Sequence, residues 1–380
     1  MASEVAEAVQ RYHLCETCLE RQGGSPSDFE VVAHEECFIC GGLMARVGSV
    51  AKSVVREAKG HEFRTFGIGL SMPAGVQERE DEVRSALKLM GRETIKTQLS
   101  KTMVAEISRE LRKKPDKLNP DLTAVVDLAS SRIDVYSRPL FFYGRYTKPE
   151  GVAQRRKRCP ECSGRGCESC GMTGFDRSPS VEEKVGRKLV SATAAESVKF
   201  TWIGSEDRDS LVSAPGRPFV VELKNPKLRN VPKSFVARGR GGAVRVSHGR
   251  LLPSRPTRLP SFRFRTSITA SASKKVQAAD LKELARIFRN AEVVFDRPHE
   301  RPVSKRVYRV RARARGKTLL IDAELDGGLP VKRFVSGELV SPSVSEVLKT
   351  EVRCRKFDIR GVKETGKFGF GEISRLQKKD

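Results

Sequence analysis

Eight of the nine cysteines fall into four Cys-x-x-Cys pairs, and the pairs form two sets: Cys15/Cys18 with Cys37/Cys40, and Cys159/Cys162 with Cys167/Cys170. Each Cys-x-x-Cys knuckle presents two sulfurs on one side of a tight turn, so two knuckles supply the four thiolates of a closed tetrahedral zinc site. The first set has the eighteen-residue spacer of a zinc ribbon. In the second, CPECSGRG runs straight into CESCGMTG, and its glycines let the backbone fold back over an ion. Disulfides would need an oxidising compartment, whereas the N-terminal stretch MASEVAEAVQ has no basic start, apolar run or cleavage signal. A redox pair would stand alone, not in complete quartets. Four thiolates leave no open coordination position, so one or two structural zinc ions are expected. Cys354, alone in the alternating segment EVRCRKFDI, reads as a packed strand residue.

A second constellation is acidic. Glu206, Asp207 and Asp209 crowd a loop that opens at Gly204-Ser205 and is followed by Gly216-Arg217-Pro218-Phe219. Acidic turns are common on solvated surfaces. This one lies in a basic half of the chain, where a carboxylate beside an anion-binding surface costs electrostatic energy unless it is used. The chain of 380 residues carries a formal charge of +25, and a surplus of that size favours a polyanion as partner. From Leu223 to Ala279 there is no Asp or Glu against fourteen Lys and Arg. Gly and Pro punctuate that stretch, so extended loops and hairpins are expected rather than helices. Phe235, Phe262 and Phe264 interleave with its arginines, which suits a loop that grips an RNA backbone and offers faces to bases, in preference to a disordered basic linker. No apolar run approaches the roughly 18 residues of a membrane span, so a soluble, cytoplasmic protein of two or three domains is expected.

The elements that must position these groups follow from periodicity. In the first half, His61–Met72 reads as a strand and Glu93–Lys113 as a helix with Ile95, Leu99, Met103, Ile107 and Leu111 on one face. Strands are expected at Leu122–Leu128 and Arg132–Ser137, followed by the arginine- and aromatic-rich cluster Arg138–Tyr146, which resembles an RNA-binding platform at the end of an α/β domain. The second cysteine set then acts as a hinge. Beyond it, helices are expected at Val181–Val190, Ala278–Asn290 and Val331–Val335, and strands at Phe219–Leu223, Val307–Ala312, Thr318–Glu324 and Val352–Val362.

The run GSEDRDSLVSAPGRPFVVEL resembles the catalytic motif of the archaeal-type tRNA pseudouridine synthases that act on the T-loop. That family also opens with a four-cysteine zinc module and continues through a THUMP-containing RNA-binding domain ending in Arg-Pro-Leu-Phe-x-Tyr-Gly-Arg-Tyr. Paired knuckles and a Ser-Val-Glu-Glu stretch come next. Here Arg138–Tyr146 and Ser180-Val181-Glu182-Glu183 stand at matching places. The resemblance implies an α+β protein with a zinc module over 1–50, a THUMP-like domain over 51–154, a paired knuckle over 155–178 and a mixed-sheet catalytic domain over 179–380 with a basic loop region at 224–275. It further implies an isomerase converting uridine to pseudouridine at tRNA position 54, 55 or both. Such an enzyme binds tRNA, works without an organic cofactor or a catalytic metal, and is expected as a monomer.

By the same resemblance Asp207 is the nucleophile, with Asp209 as the alternative if the register is misread. Tyr308 stacks on the flipped uracil, Arg217 contacts substrate, and Lys332 pairs with the aspartate, a role Arg333 could take with a one-residue slip. The family usually has Arg at the place of Ser205, Val-Arg at Ser210-Leu211 and Tyr at Pro330. These departures keep a second reading open, a non-catalytic zinc-containing tRNA-binding protein or chaperone. A THUMP-linked methyltransferase would need a Gly-rich cofactor loop after a strand, and the dense cluster Gly239-Arg240-Gly241-Gly242 lies instead in the acid-free stretch.

Overall fold

A computed structural model describes residues 11–27, 30–86, 93–296 and 301–371; the N-terminal stretch 1–10 lies outside the described residues. The chain divides into two compact units. One runs to Arg138 and takes back Asn225–Arg229, and the other comprises Pro139–Lys224 and the chain from Asn230 onward.

In the first unit, helix Leu43–Ala58 begins directly behind the last knuckle cysteine and buries Leu43, Val47, Ala51, Val54, Val55 and Ala58, an apolar stripe at helical spacing. Helix Ile95–Leu111 buries Ile95, Leu99, Met103 and Ile107, the face expected from sequence, and the Thr94 hydroxyl caps its start by accepting from Thr97 N. These helices cover a four-stranded sheet of β1 (Thr65–Ser71), β2 (Lys114–Pro115), β3 (Leu122–Asp127) and β4 (Arg132–Ser137) in the order β2-β1-β3-β4. β1 is parallel to β2 and β3, and β3 is antiparallel to β4. Cys15, Cys18, Cys37 and Cys40 share one core with Ile95, Met103 and Val126. The expected boundary at residue 50 therefore falls in the middle of a helix and separates no compact units.

A buried ion pair helps to fasten this unit. Arg21 Nε is 2.8 Å from Glu80 Oε1, both side chains are nearly inaccessible, and Arg21 also donates to Gln98 Oε1 at 2.6 Å and to Cys18 Sγ at 3.3 Å. The same carboxylate accepts from Ile95 N at the start of the second helix, where the helix dipole favours negative charge. The returning segment Asn225–Arg229 is tied in by Asn225 Oδ1, which accepts from Ser137 N at 2.8 Å, and by Glu62 N donating to Lys227 O at 2.7 Å.

The second unit is built on a large mixed sheet. Its strands are β5 (Leu140–Lys148), β6 (Ser197–Trp202), β7 (Val212–Lys224), β8 (Phe235–Ala237) and β9 (Val244–Leu252), then, beyond the small β10 (Pro256–Arg258), β11 (Phe262–Ala272), β12 (Ala291–Phe295), β13 (Val303–Arg315), β14 (Thr318–Asp326), β15 (Val340–Ser341) and β16 (Val352–Glu364); β10 pairs with the short β17 (Gly369–Phe370). The order is β15-β12-β13-β14-β11-β16-β7-β5-β9-β8, with β6 also on β7. The sheet has two lobes that meet where β7 runs parallel to β16 through the single pair Val212↔Ile359. Helix Val181–Thr193 is capped by Ser180, whose hydroxyl accepts from Glu183 N, so the Ser-Val-Glu-Glu stretch is a helix start.

Three expectations are corrected here. Arg138–Tyr146 does not close the first domain: Leu140–Lys148 is an interior strand of the large sheet, and Phe142, Tyr143 and Tyr146 are buried. The second cysteine set lies within the second unit rather than acting as a hinge between halves. The stretch 224–275 is mostly strand, and the period of two turns Phe262 and Phe264 into the core while Arg265 faces outward. Neither ring stands on the exposed basic surface, where the sequence had suggested an RNA grip.

Replacing Glu80 with Ala should leave the Arg21 guanidinium buried and unpaired. A loss of about 3–5 kcal/mol is expected from such a truncation, read as a lower denaturation midpoint; an unshifted midpoint would show that the pair is dispensable.

Candidate active site

The acidic loop lies at the seam of the two lobes, immediately before β7. Its backbone is gathered by one buried cation. Lys148 Nζ donates to the carbonyls of Asp207 and Arg208, each at 3.1 Å, and to that of Ser210. Lys148 is 2% exposed, and burial pulls its ammonium below the ordinary lysine range. On the other side Glu206 points inward: its carboxylate pairs with Arg217 Nη1 at 3.0 Å and accepts from Gln154 Nε2 at 3.0 Å and from the Tyr146 hydroxyl. Arg217 Nε and Nη2 donate to Ile203 O at 3.1 and 3.0 Å, and the guanidinium lies over the Phe264 ring at 5.0 Å. Gly204 has φ +75°, and a Cβ there would stand 2.3 Å from Arg217 Nη2. The seam itself is closed by Asp358, whose Oδ1 accepts from Leu211 N at 2.9 Å, while Ile359 N donates to Leu211 O at 2.9 Å.

With Glu206 turned in, its neighbour Asp207 turns out into a pocket of about 340 Å³. Phe264, Leu325, Phe357 and Ile359 give that pocket apolar walls, and Asp326, Pro330 and Lys332 line its rim. Lys332 Nζ is 2.9 Å from Asp207 Oδ2, with both side chains partly open to water. The lysine is presented by the short helix Val331–Ser336, entered through Gly327-Gly328 and held by Phe334 packed edge-on against Phe288 at 4.9 Å. Arg333 lines the pocket, but Lys332 makes the ion pair. Asp209 is exposed. An aspartate with its own ammonium, opening into a half-apolar pocket, can act as an ionised nucleophile or base.

Tyr308 stands one contact away. The β13–β14 register shifts between Val307↔Leu325 and Arg309↔Glu324, so Tyr308 is the extra residue of a β-bulge, a device that re-aims a side chain. Its hydroxyl donates to Asp326 Oδ1 at 2.9 Å, and Asp326 also accepts from Arg306 N at 2.9 Å. One face of the ring is covered by the Arg263 guanidinium at 3.5 Å. Arg217 is buried but lines the same pocket, with its donors engaged by Glu206 and Ile203. Ser205 and Pro330 line the pocket, and Ser210 is buried with no partner for its hydroxyl. Cys354 is packed in β16, and burial pushes its thiol up to about 11 against the opposing influence of Lys332.

Sequence reasoning did not single out Lys148, Gln154, Asp326 or Asp358, placed Tyr146 in an RNA-binding cluster rather than beside Glu206, and used Glu206 only as one more acid of the loop. Asp326 carried a weak signal, an acid ending a strand directly before Gly-Gly. Lys148 carried none, because its partners are main-chain carbonyls some sixty residues away.

Each cysteine quartet brings its four sulfurs within 4.8 Å of one another. The separations include 3.8 Å for Cys15–Cys40 and 3.7 Å for Cys167–Cys170, and a tetrahedral ion with metal–sulfur bonds of about 2.3 Å would set sulfurs about 3.8 Å apart. Gly166 N and Gly174 N donate to Cys162 and Cys170 Sγ at 3.2 and 3.3 Å, the neutralising contacts that thiolate ligands take. Both clusters could hold metal ions.

The hydrogen bond from Lys332 to Asp207 raises the lysine pKa above its ordinary value. A raised pKa means that the pair is intact at neutral pH and its contribution is lost as pH rises through the folded-state pKa. Asp207→Asn should return the Lys332 titration midpoint toward about 10.4, followed by NMR of Cε-labelled lysine. A midpoint identical in both proteins would mean that the pair is not formed in solution.

Two family models match the chain: "Pus10 THUMP domain, archaeal" over residues 50–127 and "Pus10, C-terminal" over residues 141–248. The chain is similar to the tRNA pseudouridine synthase Pus10 of Nitrosopumilus maritimus, 29% identical over 370 residues that cover 94% of this chain and 96% of the relative. It is 31% identical to that of Cenarchaeum symbiosum over 369 residues, 92% and 90% of the two chains. The corresponding enzyme of Methanopyrus kandleri is 31% identical over 350 residues, 86% and 80% of the two chains. With such relatives matched nearly end to end, the chain belongs to the Pus10 family of tRNA pseudouridine synthases.

Proposed function

We propose that this protein isomerises uridine to pseudouridine in the T-loop of tRNA, at position 54, 55 or both, with Asp207 as the initiating carboxylate. The observation that carries the assignment is the 2.9 Å ion pair between Asp207 and Lys332 at the mouth of the pocket. The same pair favours an enzyme over a tRNA-binding protein without activity. In the reaction the bond between ribose C1′ and uracil N1 breaks, the base turns, and C1′ joins C5. C5 then releases its proton and N1 regains one. Lys332 sets a positive charge 2.9 Å from the carboxylate, offsetting the phosphates of an approaching RNA. Tyr308, its hydroxyl fixed by Asp326, presents a ring against which a flipped uracil can stack. Arg217 serves the substrate through the loop it braces, as a positioning residue.

The two sulfur tetrahedra support structural zinc in both quartets, with Cys15, Cys18, Cys37 and Cys40 on one ion and Cys159, Cys162, Cys167 and Cys170 on the other. The unit ending at Arg138 would dock tRNA through its THUMP domain, and the unit from Pro139 would carry out the chemistry. No helix among the described residues is long and apolar enough to cross a membrane.

The test is to incubate unmodified tRNA transcript with the protein and map pseudouridine by carbodiimide primer extension. Asp207→Ala should lower the single-turnover rate by more than about 1,000-fold with little change in tRNA affinity; retained activity would overturn the assignment. Tyr308→Phe should keep most of the rate, while Tyr308→Ala should lose about 10- to 100-fold if stacking is its task. The reverse order would assign the role to the hydroxyl. Metal analysis should find two zinc ions per chain, and one in a Cys159→Ser/Cys162→Ser variant.

A further inference from the structure

A second cleft in the larger unit shares no lining residue with the pocket of Asp207. It measures about 680 Å³ and runs between helix Val181–Thr193 and the edge strand β8, closed by the turn Arg238–Gly242. Strand β8 is three strands from β7, a displacement of about 14 Å at the usual spacing.

The cleft is lined by six cations, Arg177, Lys184, Arg187, Lys188, Arg238 and Arg240, against one carboxylate, Glu183. That carboxylate is already engaged by Arg187. Among the described residues Arg177, Lys188, Arg238 and Arg240 are exposed and have no acidic partner. On β13, by contrast, Arg309 and Arg311 stand across from Glu324 and Asp322. Like charges gathered without counter-charges repel one another, and an anionic ligand removes that repulsion.

The turn that carries two of these arginines is fixed. Lys184 Nζ donates to Gly242 O at 2.9 Å, and Gly242 N donates to Gly239 O at 3.1 Å. Gly241 has φ +76°, and a Cβ there would stand 2.9 Å from the Pro179 ring. The glycine cluster unsuited to a methyltransferase cofactor thus seats the turn that carries Arg240 against Pro179, just ahead of the helix. Guanidinium groups match phosphate oxygens in pairs. No aromatic residue lines the cleft, so it has no stacking platform for bases. Contacts of this kind fix position and carry no sequence readout.

We propose that this cleft binds the phosphodiester backbone of a tRNA stem at a distance from the reacting uridine, which rests on tRNA being the substrate. The experiment compares the triple variant Lys188→Gln/Arg238→Gln/Arg240→Gln with Arg313→Gln/Arg315→Gln, which removes exposed charge from the far end of β13. Binding of full-length tRNA is titrated over a range of salt, and the single-turnover rate is measured at saturating tRNA. Each duplex phosphate contact contributes about 0.9 to the slope of log K against log salt. The triple variant should therefore flatten the slope by about 2 to 3 and weaken binding by about 10- to 100-fold near 0.1 M salt, with an unchanged saturated rate. The control pair should change the slope little. A triple variant with wild-type slope and affinity, or one no weaker than the control, overturns the cleft assignment while leaving the enzyme assignment intact. Absence of pseudouridine from the wild-type reaction would instead remove the functional reading on which the cleft rests.

Discussion

Lys148 has almost no contact with water and must find all its compensation inside the protein. An ammonium in that position is tolerated only where each of its three protons meets an acceptor. The acceptors are the carbonyls of Asp207, Arg208 and Ser210, so satisfying one buried charge fixes the path of the whole loop. Glu206 supplies the opposite charge nearby and is itself saturated by Arg217, Gln154 and Tyr146. Two groups that are each costly alone thereby hold consecutive residues in opposed directions, Glu206 inward and Asp207 outward. The pocket carboxylate owes its direction to this arrangement, since its own contact with Lys332 is half-exposed and too weak to order a loop.

The sheet explains why such an arrangement is needed at that point. β7 pairs with β5 along most of its length and with β6 toward its C-terminal end, but it meets β16 through Val212 and Ile359 alone. The loop before Val212 supplements ties made elsewhere between the lobes, where Arg145 donates to Val362 O at 3.1 Å and pairs with Glu364 at 3.5 Å. Asp358 closes the gap from the β16 side by accepting from Leu211 N. Both halves of the site are thereby tied to different lobes: Asp207 belongs to the β7 side, while Lys332 and Asp326 follow from β14 and its Gly-Gly exit. The bulge at Tyr308 is a further local departure from regular pairing, placed where a side chain has to turn toward Asp326.

Regular elements were legible in the sequence because one face of each is buried. The stripe Ile95, Leu99, Met103, Ile107 and the strands from Leu122 and Arg132 appear within a residue or two of expectation. The ion pair of Asp207 and Lys332 was accessible only through motif resemblance, since nothing in the spacing of residues 207 and 332 brings them together. Phe262 and Phe264 were misread because the high density of arginine hid an ordinary period-two strand, whose apolar face is core and whose arginines are its outer face. The cluster from Arg138 was assigned to the wrong unit for a related reason. Compactness is a property of pairing partners, and those of β5 are β7 and β9, far along the chain. Lys148 was invisible to any side-chain pattern because what it binds is backbone.

The cysteine quartets gain different meanings from their different surroundings. The first is sealed into the core of the smaller unit and linked through Arg21 to Glu80 and so to the start of a helix. The second is a small cluster of its own, yet it begins five residues after Gln154, the residue that donates to Glu206 and to the Gly204 carbonyl. Bridges between Ala153 and Ser180 and between Arg158 and Phe175 close the segment at both ends, and an ion in the quartet would clamp its middle. An excursion of about twenty-five residues without a sizeable apolar core has little else to hold it. Zinc at the second quartet would thus stiffen the segment that positions Gln154, and through Gln154 the loop of Asp207, without approaching the reacting base.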